Sequence, residues 1–122
     1  MAVKLTNNAR SALAVAITAS ETVVRVRVGH GIKFPVLAAG DWFPLVLEDD
    51  SGNIEILRAT ARSGDSITVQ RGAEGTQPRA YSAGDACQLR LTAAALQAAT
   101  NPDPDPGVLP AASISDAVIG GQ

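Results

Sequence analysis

The sequence predicts a mainly β protein: a small antiparallel β-barrel or sandwich with a short C-terminal helix and an extended C-terminal arm. Three observations point there. Short runs of β-branched and aliphatic residues alternate with polar ones, as in "TVVRVRV" and "SITVQRG". Turn-forming clusters such as "EDDSGN" and "SGD" separate those runs at short intervals. Aromatic residues make up only 3% of the 122 residues, so Val, Ile, Leu and Ala must build the core. Several short strands punctuated by turns favour antiparallel closure over a helical or α/β architecture.

Along the chain, residues 1–21 form an N-terminal segment, 22–100 the β-rich module, and 101–122 a spacer and arm. Asn7–Ala19 is Ala-rich with Asn7 or Asn8 as a cap, which suggests a short helix, although Val15, Ile17 and Thr18 weigh against it. Val24, Val26 and Val28 alternate with Arg25 and Arg27, the period-two pattern of a half-buried strand ended by Gly29 and Gly31. The two arginines are expected on a solvated strand face, the alternative being contact with an acidic partner. A turn at Ala39–Asp41 leads into "WFPLVLED". Pro44 lacks an N–H, so this strand is an edge or starts near Pro44.

The "EDDSGN" hairpin returns as "IEILRATARS", with Ile54 and Ile56 on one side and Glu55 and Leu57 on the other. Gly64–Asp65 turns the chain again, and Ile67 and Val69 then share a face. "DACQLRL" is a last strand, and Thr92 is the expected N-cap of the helix "AAALQAA". "NPDPDPG" ends that helix and favours extended, polyproline-like backbone.

Composition narrows the function classes. A formal net charge of −2 supplies no overall basic field, so nucleic acid is not an expected partner. No apolar run approaches the ~20 residues of a membrane span, and the N-terminus lacks a signal-peptide pattern. Cys87 is alone and His30 is the only histidine, so neither a disulfide nor a zinc cluster is expected. Cys87 reads as a small buried apolar residue and His30 as loop filler or an interface contact. Ser63 and Asp65 lie in a turn with no G-x-S-x-G context and no histidine to serve them.

The loop "RGAEGTQPRAYSAGD", residues 71–85, has the ingredients of an anion cradle but not the spacing. Gly72 and Gly75 are three apart with no Lys after them, and the loop joins strand to strand. A shaped connection fits better. Gly72 and Gly75 permit positive φ, Thr76 and Asp85 can bond local backbone, and Pro78 stiffens the crossing. Arg71 is expected to fix the loop through Glu74. No nucleophile–base pair or metal constellation is expected, so neither an enzyme nor a cofactor is.

The order of elements resembles the attachment module near the N-terminus of many tailed-bacteriophage tail-fibre and tail-spike proteins. The resemblance rests on Phe34–Pro35, a strand carrying Glu55, "TARSGDSITVQRG", "EGT", "AGD" and "LRLTAAAL", in that order over residues ~22–97. It implies a non-enzymatic virion protein, assembled in the host cytoplasm, that seats one structural part on another. A fibre would continue into a long shaft, whereas 26 residues follow Leu96, so a short adaptor, collar, baseplate or capsid-surface subunit is expected.

Such a protein works by contact with other phage structural proteins and with copies of itself. Candidate interface residues are Trp42 as an exposed aromatic anchor, Arg71, Glu74, Arg79 and Tyr81 on the loop, and Val108, Leu109, Ile114, Val118 and Ile119 on the arm. The alternatives are a capsid decoration (cement) protein and a small carbohydrate-binding module. The second is poorly supplied with aromatic residues.

Overall fold

β-Strand pairing organises residues 10–89 of the chain. The computed structural model describes residues 2–100; the expectations for Val108, Leu109, Ile114, Val118, Ile119 and the Pro-rich spacer lie outside them. Six strands form one antiparallel sheet: β1 (Arg10–Ala12), β2 (Val23–Arg25), β3 (Phe43–Glu48), β4 (Ile54–Ser63), β5 (Ser66–Ala73) and β6 (Ala86–Leu89). Their spatial order is β1-β6-β3-β4-β5-β2, and one helix, α1 (Ala93–Thr100), follows.

The sheet curls until its two outer strands approach each other. Leu13 and Val26, just beyond β1 and β2, form an antiparallel bridge. Ala14 N donates to Arg25 O at 2.8 Å and Arg27 N to Ala12 O at 3.1 Å. Register shifts between β4 and β5, near Ile56–Arg58 and Ala59–Ala61, supply local bending. The outcome is a small barrel-like sheet, as the pattern of strands and turns predicts.

Alternation decides what fills it. Phe43, Leu45 and Leu47 of β3, Leu57 and Ala59 of β4, and Ile67 and Val69 of β5 point into one core with Val24, Val26, Leu13 and Cys87. Phe34 stacks on Phe43 with ring centroids 5.8 Å apart. Each such large apolar side chain contributes roughly 1.5–3 kcal/mol on burial. The opposite faces of β3 are covered too, since Trp42, Pro44 and Val46 are all buried. β3 is thus interior, and it begins at Phe43. β6 pairs with it only from Leu45 onward, leaving Pro44 outside that ladder.

Two expectations need correction. Asn7–Ala19 is not helical: it contains β1, and Ile17 exchanges backbone hydrogen bonds with Tyr81. Pairing with β6 and burial of Ala9, Ala12, Leu13 and Ile17 outweigh the helix propensity of alanine. Val28 does not continue the Val24 and Val26 strand and is fully outside the core, because the chain leaves the sheet after Val26. Thr92 caps α1 as expected, accepting from Ala95 N at 3.2 Å.

Candidate functional site

Glu55 decides the shape of the 71–85 loop. It lies on the inward side of β4 beside Leu57 and is the one fully buried charged residue among the described residues. A carboxylate there is tolerated only if its lone pairs are filled. Arg71 of β5 fills them as a fork, with Nε 2.9 Å from Oε2 and Nη2 2.8 Å from Oε1. Gly72 N donates to Oε2 at 2.8 Å and Arg79 N to Oε1 at 3.0 Å. Burial pulls the Glu55 pKa upward, but the Arg71 fork and the two amides outweigh it and hold it below its ordinary value.

The guanidinium has further partners. Arg71 Nη1 donates to Thr18 O and Glu21 O, both at 2.7 Å, and Nη2 donates to Arg79 O at 2.6 Å. One buried ion pair therefore clasps β4, β5, the N-terminal segment and the start of the 79–85 stretch. Gly72, at φ +59°, has room for no side chain: a Cβ would stand 2.8 Å from Pro78 Cδ. Thr76 Oγ1 accepts from Ile56 N at 3.0 Å and donates to Ala73 O at 2.7 Å. Asp85 accepts from Ser82 N at 2.8 Å.

The candidate interface residues therefore separate. Arg71 does not pair with Glu74, and it is not available to a partner, because its side chain is spent on Glu55 and three carbonyls. Glu74, left-handed at φ 53°, instead accepts from Ala94 N at 3.0 Å and helps cap α1. Sequence proximity favours Glu74; burial and the fork geometry of Glu55 prevail.

Tyr81 is buried against the core, and its hydroxyl has no hydrogen-bond partner among the described residues. Burial, with Glu55 nearby, pushes its pKa up to about 12. Trp42 is not an exposed anchor. It lies under the Arg58 guanidinium, 4.0 Å from the ring centroid, and pairs with Val3 in a parallel bridge. Glu74 and Arg79 remain exposed, as an interface role requires.

Two other clusters stand out. Asp49, Asp50, Ser51, Ser82 and Asp85 line an open depression beside the loop. The Asp49 carboxylate is already engaged by Ser51 N, Asn53 N and Asn53 Nδ2, and Asp85 by Ser82 N. Among the described residues no three His, Cys, Asp or Glu side chains converge to hold a metal ion.

The structure also gives His30 a partner that sequence reasoning missed: Ser11 Oγ lies 2.8 Å from Nδ1. Separated by 19 positions, the two meet because β1 and the chain beyond β2 close the sheet. Ser11 Oγ also accepts from Arg27 N at 3.3 Å, and Asp65 is bound to the amides of Gly29 and Gly31 rather than to the ring. The arrangement straps the seam. Cys87 is fully buried, and burial pushes its thiol up to about 12, far from a reactive thiolate.

No protein-family model matches this chain, and no curated protein matches it.

Proposed function

We propose that this chain is a structural virion protein of a tailed phage, an adaptor that joins tail, baseplate, collar or fibre components by protein–protein contacts. The observation that carries the reading is the convergence of the motifs behind the resemblance. Glu55 binds Arg71 and Gly72 of "QRG", Thr76 of "EGT" binds Ile56, and Glu74 of the same motif binds Ala94 of "LRLTAAAL". Residues far apart in sequence are spent on holding one loop in one shape, which suits a docking surface. A rigid surface loses little conformational freedom on binding.

The mechanism is binding alone, repeated over several copies. Weak identical contacts become strong when the partners are held at high effective concentration. Residues 101–122 would serve as an arm between subunits, with Val108, Leu109, Ile114, Val118 and Ile119 as its apolar contacts. A carbohydrate-binding role loses support, because Trp42 and Tyr81 are both buried. Labelled antibody on purified virions tests the reading. Signal on the tail supports the adaptor, a shell of signal around the head favours capsid decoration instead, and virions without signal overturn both.

A further inference from the structure

Between β2 and β3 the chain carries three large apolar side chains into solvent. Val28 is 91% exposed, Ile32 84% and Val36 77%, the three highest values among the exposed large hydrophobic residues. The segment that presents them is fixed. Asp65 Oδ2 accepts from Gly29 N at 3.0 Å and Oδ1 from Gly31 N at 2.7 Å, and Thr6 Oγ1 donates to Lys33 O at 3.0 Å. Phe34, in the middle of the segment, is buried in the core. Gly31 packs so closely on the β4–β5 turn that a Cβ would fall 1.9 Å from Gly64 O. Exposed apolar side chains on a segment held this firmly suit a partner.

Charge indicates which one. Arg27 and Lys33 belong to the segment and Arg62 Nε donates to Pro35 O at 3.3 Å, against Asp65, whose carboxylate is taken up by the segment's own amides, and Asp41, which accepts from Ala38 N. Residues 101–122 carry Asp103, Asp105 and Asp116 and no Lys or Arg, interleaved with Val108, Leu109, Ile114, Val118 and Ile119. An acidic and apolar segment complements a basic and apolar surface.

Placement argues for a second copy. The surface is tied to the β4–β5 turn through Asp65. The start of α1, which leads into residues 101–122, is tied through Glu74 to the chain just after β5, at the other end of that hairpin. Donor and acceptor at opposite ends suit head-to-tail contacts, which close into rings when the rotation allows. Resting on the adaptor reading above, we infer that residues 108–119 of one copy dock on the Val28, Ile32 and Val36 surface of the next.

Sedimentation of the full-length chain at about 100 µM tests this, a concentration at which even weak self-association registers. The unaltered protein should associate, less so at high salt as the charge complementarity is screened. Val28→Ser/Ile32→Ser/Val36→Ser, all at exposed positions, should stay folded by circular dichroism and associate about a hundredfold more weakly. Leu109→Asp/Ile114→Asp/Val118→Asp should do the same. Mixing the two variants should yield a complex that stops at one copy of each, since one intact arm meets one intact surface. A monomeric unaltered protein, unchanged association of either variant, or no complex on mixing overturns the inference. None of these outcomes bears on where the protein sits in the virion, so the adaptor reading stands or falls on the antibody experiment alone.

Discussion

The two ends of the β4–β5 hairpin solve the same problem with different chemistry. At each, one carboxylate collects two backbone amides: Glu55 those of Gly72 and Arg79, Asp65 those of Gly29 and Gly31. Glu55 is fully buried and needs the Arg71 fork as well, whereas Asp65 is only half-buried and is held below its ordinary pKa by the amides of Gly29 and Gly31 before any charge nearby. Burial turns a local turn contact into a joint between four segments. The half-buried version only shapes a loop.

That contrast predicts unequal responses to substitution. Glu55→Gln leaves the Arg71 guanidinium, 7% exposed, without its counter-charge, and should cost about 3–5 kcal/mol in denaturant unfolding. Asp65→Asn should lower the melting temperature by visibly less. Equal losses would mean that burial is not what distinguishes the two ends. Gly31→Ala comes next: its Cβ meets the Gly64 carbonyl, and parting the two segments should cost roughly 1–3 kcal/mol and loosen the apolar surface.

Acid sharpens the comparison. The folded pKa of Glu55 lies below the ordinary 4.5, so its contribution is complete above pH 4.5 and disappears as pH falls through the folded value. Unfolding curves between pH 6 and about 3 should therefore drop more for the native protein than for Glu55→Gln. A parallel drop would show that Asp41, Asp49 and Asp65, whose pKa values are also lowered, account for all of it. The smallest effect is expected at Tyr81→Phe. Removing a buried hydroxyl without a partner should leave stability unchanged or raise it by up to ~1 kcal/mol.

Much of this frame was legible residue by residue. The alternation of Val24 with Val26 and of Ile67 with Val69, the Asp49–Asn53 hairpin and the Thr92 cap are local signals, and each holds. The features that organise the candidate site are not local. Glu55 and Arg71 are 16 positions apart, and no period or motif says that a glutamate in a strand faces inward to meet an arginine. Trp42 was readable as an anchor only in ignorance of Arg58, which covers it from the neighbouring strand. The helix expected over Asn7–Ala19 yields to strand partners supplied by residues far ahead in the chain.

The seam where Leu13 meets Val26 has a consequence for how the molecule breathes. β1 and β2 are three residues each, and their junction has one backbone bridge and the Ser11 contacts to His30 and Arg27, against the long ladder between β4 and β5. Fluctuations that unzip a curled sheet begin where the fewest contacts must be released. The amides of Ala14 and Arg27 should therefore trade hydrogen for deuterium well before those of Leu57 or Val69. A copy caught in that opened form would offer two bare strand edges, a second route by which neighbours could join.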